Sequence, residues 1–344
     1  LMTGKVFIKG FPLETVRQSL INNKKNLSYQ RCSKCVMDSS INNLNFDSDG
    51  ICEYCKNVKL SETINFKKKS LDKYINLIKN NHKKKYQAIL GLSGGVDSSF
   101  LAIKCKEWNI NVLLVHFDNG WNTDESVRNI KAVENYTKFD LYTHVVKWDE
   151  FKKVQLSFLK SGLTNFEAPS DHGIFALLFN TAYSFNIPYI LTGINKETET
   201  FIDFEDKHKT FAFGYSYGDL LHLKSVYKKF YSEKLISLPQ LSYSKRAYLE
   251  LFKKIKKVDL LNYIEFKKKD AINYLEKETE WKRYPSKHFE SVITRFHQSF
   301  ILPVKFGLDK RTLHLSNLIW SNQLSRDEAL IELKNDICNP KILI

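Results

Sequence analysis

The run Gly91-Leu92-Ser93-Gly94-Gly95-Val96-Asp97-Ser98-Ser99 combines small residues, hydroxyls and one carboxylate in a spacing suited to phosphate chemistry. It follows Tyr86–Leu92, a short apolar stretch that reads as a buried strand, and leads into Phe100–Trp108, which reads as a helix. Glycines let the backbone turn tightly, and the free amides of a helix start attract an anion. The stretch is not a Walker A loop, because no Gly-x-x-x-x-Gly-Lys-Ser/Thr spacing is present. Leu92, Ser93, Gly94, Gly95, Val96, Asp97 and Ser98 are therefore expected to cradle phosphates. Ser93 and Asp97 are expected to act on them, Asp97 by placing a Mg²⁺ ion, which takes one or two carboxylates plus substrate oxygens.

A second chemical pattern precedes the loop. Cys32-x-x-Cys35 and Cys52-x-x-Cys55 are two knuckles separated by sixteen residues. Each turn points two thiolates at one ion, which suits tetrahedral zinc, and four thiolates leave no open position for substrate. The site is expected to be structural. Two disulfides or four idle thiols are the alternatives, and disulfides call for an oxidising compartment. Leu1-Met2-Thr3-Gly4-Lys5 carries no long apolar signal core, so the reading is a cytoplasmic protein with reduced thiols. Cys105 and Cys338 stand apart from the knuckles and are expected to be inert.

These residues need elements to position them. The 344-residue chain, 43% hydrophobic, has length for more than one domain, and no run of 18 apolar residues suggests membrane insertion. After a lysine-rich helical connector over about 63–83, strand and helix alternate. Asn111–Phe117 reads as the second strand, Leu141–Val146 as the third and Pro188–Gly193 as the fourth, with helices over 125–136 and from Ser170 to Phe185. This is an α/β pattern with a doubly wound parallel sheet, whose ligands bind at the carboxyl ends of the strands. His116, Phe117 and Asp118 would lie near a nucleoside, and Gly193 and Asn195 beside the phosphates. Asp171-His172 reads equally as a substrate contact or a helix N-terminal cap. The expected organisation is 1–62 with the cysteine module, 63–234 as the nucleotide domain and 235–344 as a helical region.

In that last region, helices are expected over Leu249–Val258 and Lys268–Lys277, and Ser325-Arg326-Asp327-Glu328 is a capping box for a final helix. Between them lie Lys287, His288, Glu290, Arg295, Lys310 and Arg311, a polar set suited to an anionic substrate. The formal net charge of +15 comes mostly from scattered lysines with few arginines, which argues for solvated helix faces and against a dedicated nucleic-acid groove.

The loop resembles the pyrophosphate loop of the ATP pyrophosphatase superfamily (adenine nucleotide alpha hydrolase-like), whose members split ATP into AMP and pyrophosphate. Four blocks in order narrow the resemblance: the cysteine knuckles followed by Val36-Met37-Asp38, the Gly91–Ser99 loop, Val115–Trp121, and Lys287–Arg311. Together they resemble the bacterial N-acetyl sugar amidotransferases of acetamidino-sugar pathways, such as pseudaminic acid and O-antigen biosynthesis. The resemblance implies that an acetamido oxygen is adenylated by ATP and displaced by ammonia. It further implies a partner glutaminase, since neither Cys105 nor Cys338 sits in a glutaminase nucleophile context. The chain departs from the family pattern at Gly193-Ile194-Asn195, where Gly-Asn-Asn is usual, and at His297, where tyrosine is usual. A tRNA-modifying pyrophosphatase of the thiolation or lysidine type is the rival reading. Copurifying tRNA would mark it, but no reactive cysteine pair supports thiolation.

Overall fold

The computed structural model describes residues 29–41, 44–57, 64–80, 85–195, 198, 220–285 and 289–335. Lys287, His288 and Cys338 lie outside the described residues. The chain divides into two compact units: 61–195 with 215–292, and 1–60 with 196–214 and 293–344. The sequence reading placed a boundary near 235 and separated the cysteine module from the carboxyl-terminal region. In the structure 235–292 belongs with the sheet, and the two ends of the chain share one unit.

The larger unit is built on five parallel strands in the order β3-β2-β1-β4-β5: β1 (Ala88–Gly91), β2 (Val112–Asp118), β3 (Leu141–Val145), β4 (Tyr189–Leu191) and β5 (Lys256–Val258). The register follows from side-chain alternation. Ala88 and Leu90 of β1 join one core cluster with Leu101 and Ile103 of α3 (Val96–Glu107), Ile130 and Val133 of α4 (Asp124–Thr137), and Leu275 of α9 (Lys268–Glu278). Gly91 faces the other way, where a Cβ would stand 3.3 Å from Leu178 of α6 (Ala168–Ser184). Helices therefore cover both faces, and β2 is buried along nearly its whole length, as a two-face-covered parallel strand requires. Among the described residues this unit also contains α2 (Ile64–Lys79), α5 (Trp148–Ser161), α7 (Leu220–Lys228), α8 (Tyr243–Leu251) and a 3-10 helix over Leu260–Tyr263.

Several elements differ from the sequence reading. The helix after the loop begins at Val96, four residues earlier than expected, because Gly95 takes the extended N-cap conformation. The expected helix Leu249–Val258 is the end of α8 followed by β5, whose lysine-rich sequence hides a three-residue edge strand paired with β4. Helix α5 was not assigned at all. Its buried Phe151, Val154, Gln155 and Phe158 recur at helical spacing and were the available signal.

The smaller unit contains α1 (Glu53–Asn57), the cysteine module around it, and the helices α11 (Leu302–Phe306), α12 (Arg311–Trp320) and α13 (Arg326–Lys334); α10 (Val292–Phe296) and a π-turn over His297–Ile301 lead into α11. The capping box read from the sequence is present: Glu328 N donates to Ser325 Oγ, and Ser325 N donates to the Glu328 carboxylate. Ser325→Ala should cost about 1 kcal/mol of stability in the smaller unit, measured by chemical denaturation, with the helix frayed at its first turn.

Candidate active site and metal centre

The phosphate-type loop sits where β1 and β4 part, the switch point at which chain connections leave in opposite directions and a crevice opens. Its internal hydrogen bonds come from its own hydroxyls. Ser93 N donates to Ser98 Oγ at 3.3 Å, Ser93 Oγ and Ser98 Oγ lie 3.2 Å apart, and Gly95 N donates to Ser93 Oγ at 3.3 Å. Gly94 has a φ of +82°, and a Cβ there would meet Ser126 O at 2.7 Å, so only glycine fits between loop and α4. Asp97 and Ser98 lie in the first turn of α3, at its positive end.

Two residues outside every sequence motif orient this loop. Trp281 Nε1 and Tyr284 Oη both donate to the Gly94 carbonyl, at 2.9 and 3.0 Å. In a planar trans peptide the C=O and N–H point oppositely, so anchoring the carbonyl turns the Gly95 N–H inward toward Ser93 Oγ. Burial pushes the Tyr284 phenol up, keeping it a donor. Asn129 on α4 exchanges two 2.8 Å hydrogen bonds with the backbone of Lys282 and fixes the segment that carries both donors. No local spacing connects 281 and 284 to residue 94, and only the fold reveals them.

Gly193 presses on the loop from β4. A Cβ on it would stand 2.7 Å from Ser98 N and 3.0 Å from the Asp97 carbonyl carbon. Glu290 reaches the same place from the other side: its Oε1 lies 3.9 Å from where a Gly95 Cβ would be. Glu290 is held by backbone pairing, Thr123 N to Glu290 O at 3.1 Å and Val292 N to Trp121 O at 2.9 Å. Ser93, Gly94, Gly95, Asp97, Ser98, Gly193 and Glu290 are thus brought together around one turn of backbone.

His116 is joined to that turn through Leu92. Its Nδ1 lies 2.9 Å from Leu92 O, which only accepts, so Nδ1 carries the proton and Nε2 accepts from Asn122 Nδ2 at 3.1 Å. Burial lowers the His116 pKa, which keeps the ring neutral and suits this tautomer. Asn122 also donates to Asp118 Oδ1 at 3.1 Å, and Asp118 Oδ1 accepts from Gly120 N, closing the turn after β2.

Other expected contacts are placed differently. Phe117 is wedged against Gly173 of α6 and stacks on His144, a packing role. His172 is wholly buried, its Nε2 accepting from Leu241 N at 3.3 Å, and Asp171 sits inside the first turn of α6, whose N-cap is Glu167. Asn195 is buried, its Nδ2 3.5 Å from Gly193 O. Arg311 grips Asp309 through Nε and Nη2 and donates Nη1 to Glu332 O and Asn335 O, capping the end of α13. Its guanidinium is engaged inside its own unit, where it clamps the end of α13. Lys310 is the N-cap residue of α12, and Arg295 lies in α10. Cys105 is fully buried, and desolvation pushes its thiol well above the ordinary range, as an inert thiol requires.

In the smaller unit the thiols of Cys32, Cys35, Cys52 and Cys55 lie within 4.8 Å of one another. Cys32 Sγ–Cys55 Sγ and Cys35 Sγ–Cys52 Sγ are both 3.7 Å. A tetrahedron with Zn–S bonds of about 2.3 Å has edges of about 3.8 Å, so the donor set fits zinc. Hydrogen bonds among the crowded thiols hold Cys32 low and push Cys35 up.

Residues 290–342 match the family model described as the C-terminal domain of WbpG-like LPS biosynthesis proteins. No curated protein matches the chain. Among solved structures, the NH3-dependent NAD synthetase from Campylobacter jejuni aligns at 16% identity and a TM-score of 0.33, over 63% of this chain and 85% of that one. The NMN synthetase from Francisella tularensis aligns at 13% identity and a TM-score of 0.31, over 71% and 97%. No helix among the described residues is long and apolar enough to cross a membrane.

Two outcomes follow from this geometry. Gly193→Ala should weaken ATP binding in calorimetry and cost about 1–3 kcal/mol of stability, because the added methyl meets backbone that cannot move aside. For His116, the folded pKa is depressed, so its contribution to stability is complete above the ordinary histidine value and is lost as pH falls below it. His116→Gln should flatten the acid limb of the stability profile, and ¹⁵N NMR of the wild-type ring should show the Nδ1–H tautomer.

Proposed function

We propose that the chain is an ATP-dependent, AMP-forming amidotransferase that converts an acetamido group of an N-acetylated bacterial surface sugar into an acetamidino group. The observation that carries this reading is the joining, in one chain, of an anion-cradling loop at a sheet switch point with a WbpG-like LPS biosynthesis segment over 290–342.

An acetamide resists ammonia because its carbonyl is stabilised and its oxygen is a poor leaving group. In the proposed reaction the amide oxygen attacks the α-phosphorus of ATP, and the bond to pyrophosphate breaks. Ammonia then adds to the activated carbon, the C–O bond breaks, and the oxygen departs with AMP. The sugar keeps a C=N bond where it had C=O.

The residues suit a mechanism of positioning and charge stabilisation rather than covalent catalysis. The Gly94–Ser98 backbone and the Ser93 and Ser98 hydroxyls would bind the pyrophosphate, with the N-terminus of α3 stabilising the charge that develops as it leaves. Asp97 would hold a magnesium ion, which supplies charge neutralisation on the phosphates. His116, neutral and fixed by Leu92 and Asn122, would shape the nucleoside end without exchanging a proton. Recognition of an anionic sugar or nucleotide sugar is assigned to 290–342. Ammonia is assigned to a separate glutaminase, in keeping with the absence of a reactive thiol around Cys105.

Incubation with ATP, Mg²⁺, ammonium and candidate N-acetylated sugars should yield AMP, pyrophosphate and a sugar lighter by about one mass unit, O replaced by NH. Formation of ADP, or AMP with every sugar unchanged, would overturn the reading. Asp97→Ala should stop AMP formation while the metal content of the cysteine module stays the same. Glutamine in place of ammonium should support turnover only once a glutaminase is added.

A further inference from the structure

The four-cysteine centre and the helices of the WbpG-like segment are chemically joined. Trp320, the last residue of α12, donates its Nε1–H to Cys55 Sγ at 3.1 Å, and its ring lies tilted against Tyr54. Arg326, the first residue of α13, donates Nε to Cys35 O at 3.1 Å and Nη2 to Cys32 O at 3.0 Å. Val36 N donates to Ser316 Oγ at 3.3 Å. The apolar packing has the same partition. Leu313 and Trp320 share one buried cluster with Cys32, Cys35, Met37, Ile41 and Cys52, and a second cluster joins Val36 to Leu315 and Ala329.

Charge explains why these contacts fall where they do. Four thiolates around a divalent cation leave two net negative charges, and burying them is costly unless N–H donors and positive charge surround the sulfurs. The module supplies its own donors to two ligands: Lys34 N, Cys35 N and Cys52 N reach Cys32 Sγ, and Met37 N reaches Cys35 Sγ. Cys55 Sγ accepts an N–H from α12, through Trp320. Arg326 brings a full positive charge onto the carbonyls of two ligand residues at once. These carbonyls become fixed acceptors only when the Cys32–Cys35 turn is closed.

We propose that Trp320 and Arg326 are positioning residues of the zinc centre, and that metal loading at Cys32, Cys35, Cys52 and Cys55 is what holds α12 and α13 folded. The carboxyl-terminal segment shares both of these clusters with the cysteine module, so an open module removes that packing. Metal occupancy then controls the sugar-pathway segment separately from the nucleotide unit. The inference does not depend on the proposed sugar reaction, and its test contains no turnover.

The full chain is loaded with Zn²⁺, and with Co²⁺ for spectroscopy. Hydrogen exchange is followed over 311–334, with β1 and β2 as the internal control. Chelation of the metal should raise exchange in 311–334 and leave β1 and β2 protected. Trp320→Phe keeps an aromatic ring and loses the N–H, so it should weaken metal retention against a chromophoric chelator by about tenfold, the scale of lost outer-shell hydrogen bonds. It should also shift the thiolate-to-cobalt charge-transfer band. Leu324→Ala loosens the same helices without touching a ligand residue and should leave that band in place. Arg326→Lys should retain more metal than Arg326→Ala, since it keeps the charge while losing the fork. Protected 311–334 in the metal-free chain, or a cobalt band that is the same in Trp320→Phe and wild type, would overturn the proposal. An equal band shift in Leu324→Ala would overturn it too.

Discussion

The approach of Gly193 to the first turn of α3 is the constraint on which the sheet-bearing unit depends. Backbone meets backbone there, with no room for a methyl group between Gly193 and Ser98 N. That approach is possible because β4 is hydrogen-bonded directly beside β1, in the register Ile89–Ile190 and Leu90–Leu191. In a sheet of this order the connections on either side of such a switch point leave in opposite directions, the general place for a ligand crevice.

The loop itself is held by partners of unequal origin. Its hydroxyls, Ser93 and Ser98, come from the motif and would be present in any chain carrying it. Its outer carbonyl is tied by an indole and a phenol nearly two hundred residues downstream, at separations of 187 and 190. An anion-binding backbone performs best when its amides need no reorganisation as charge arrives. Trp281 and Tyr284 fix the Gly94–Gly95 peptide from its carbonyl side, opposite its N–H. A similar logic applies to His116, whose burial and two fixed partners make it a neutral spacer.

The smaller unit solves a different problem. A short cysteine module and a few helices offer little apolar area, and each alone would be marginal. Their shared clusters, together with the hydrogen bonds of Trp320 and Arg326, make one core from two ends of the chain. The polar residues nearby are used for the same end. Arg311, which by type suits an anionic substrate, holds Asp309 and the terminal carbonyls of α13.

Much of this was legible from local pattern. The paired knuckles, the Ser93–Ser99 loop, strands β1, β2 and β4, and the Ser325 capping box are short-range arrangements whose chemistry is complete within a few residues. Helix α5 was legible too, in the spacing of Phe151, Val154, Gln155 and Phe158, although it had not been assigned. Strand β5 was not, because three residues with two lysines become a strand only when β4 offers its edge. Composition and spacing by themselves placed a glycine- and serine-rich loop after β1 and grouped four cysteines in two knuckles. The tertiary structure alone decided that Trp281 and Tyr284 orient the loop, that Glu290 reaches it, and that Trp320 touches Cys55 across 265 positions of sequence. Periodicity records which face of an element is buried; it carries no record of which distant donor will meet which acceptor once that face has found its partner.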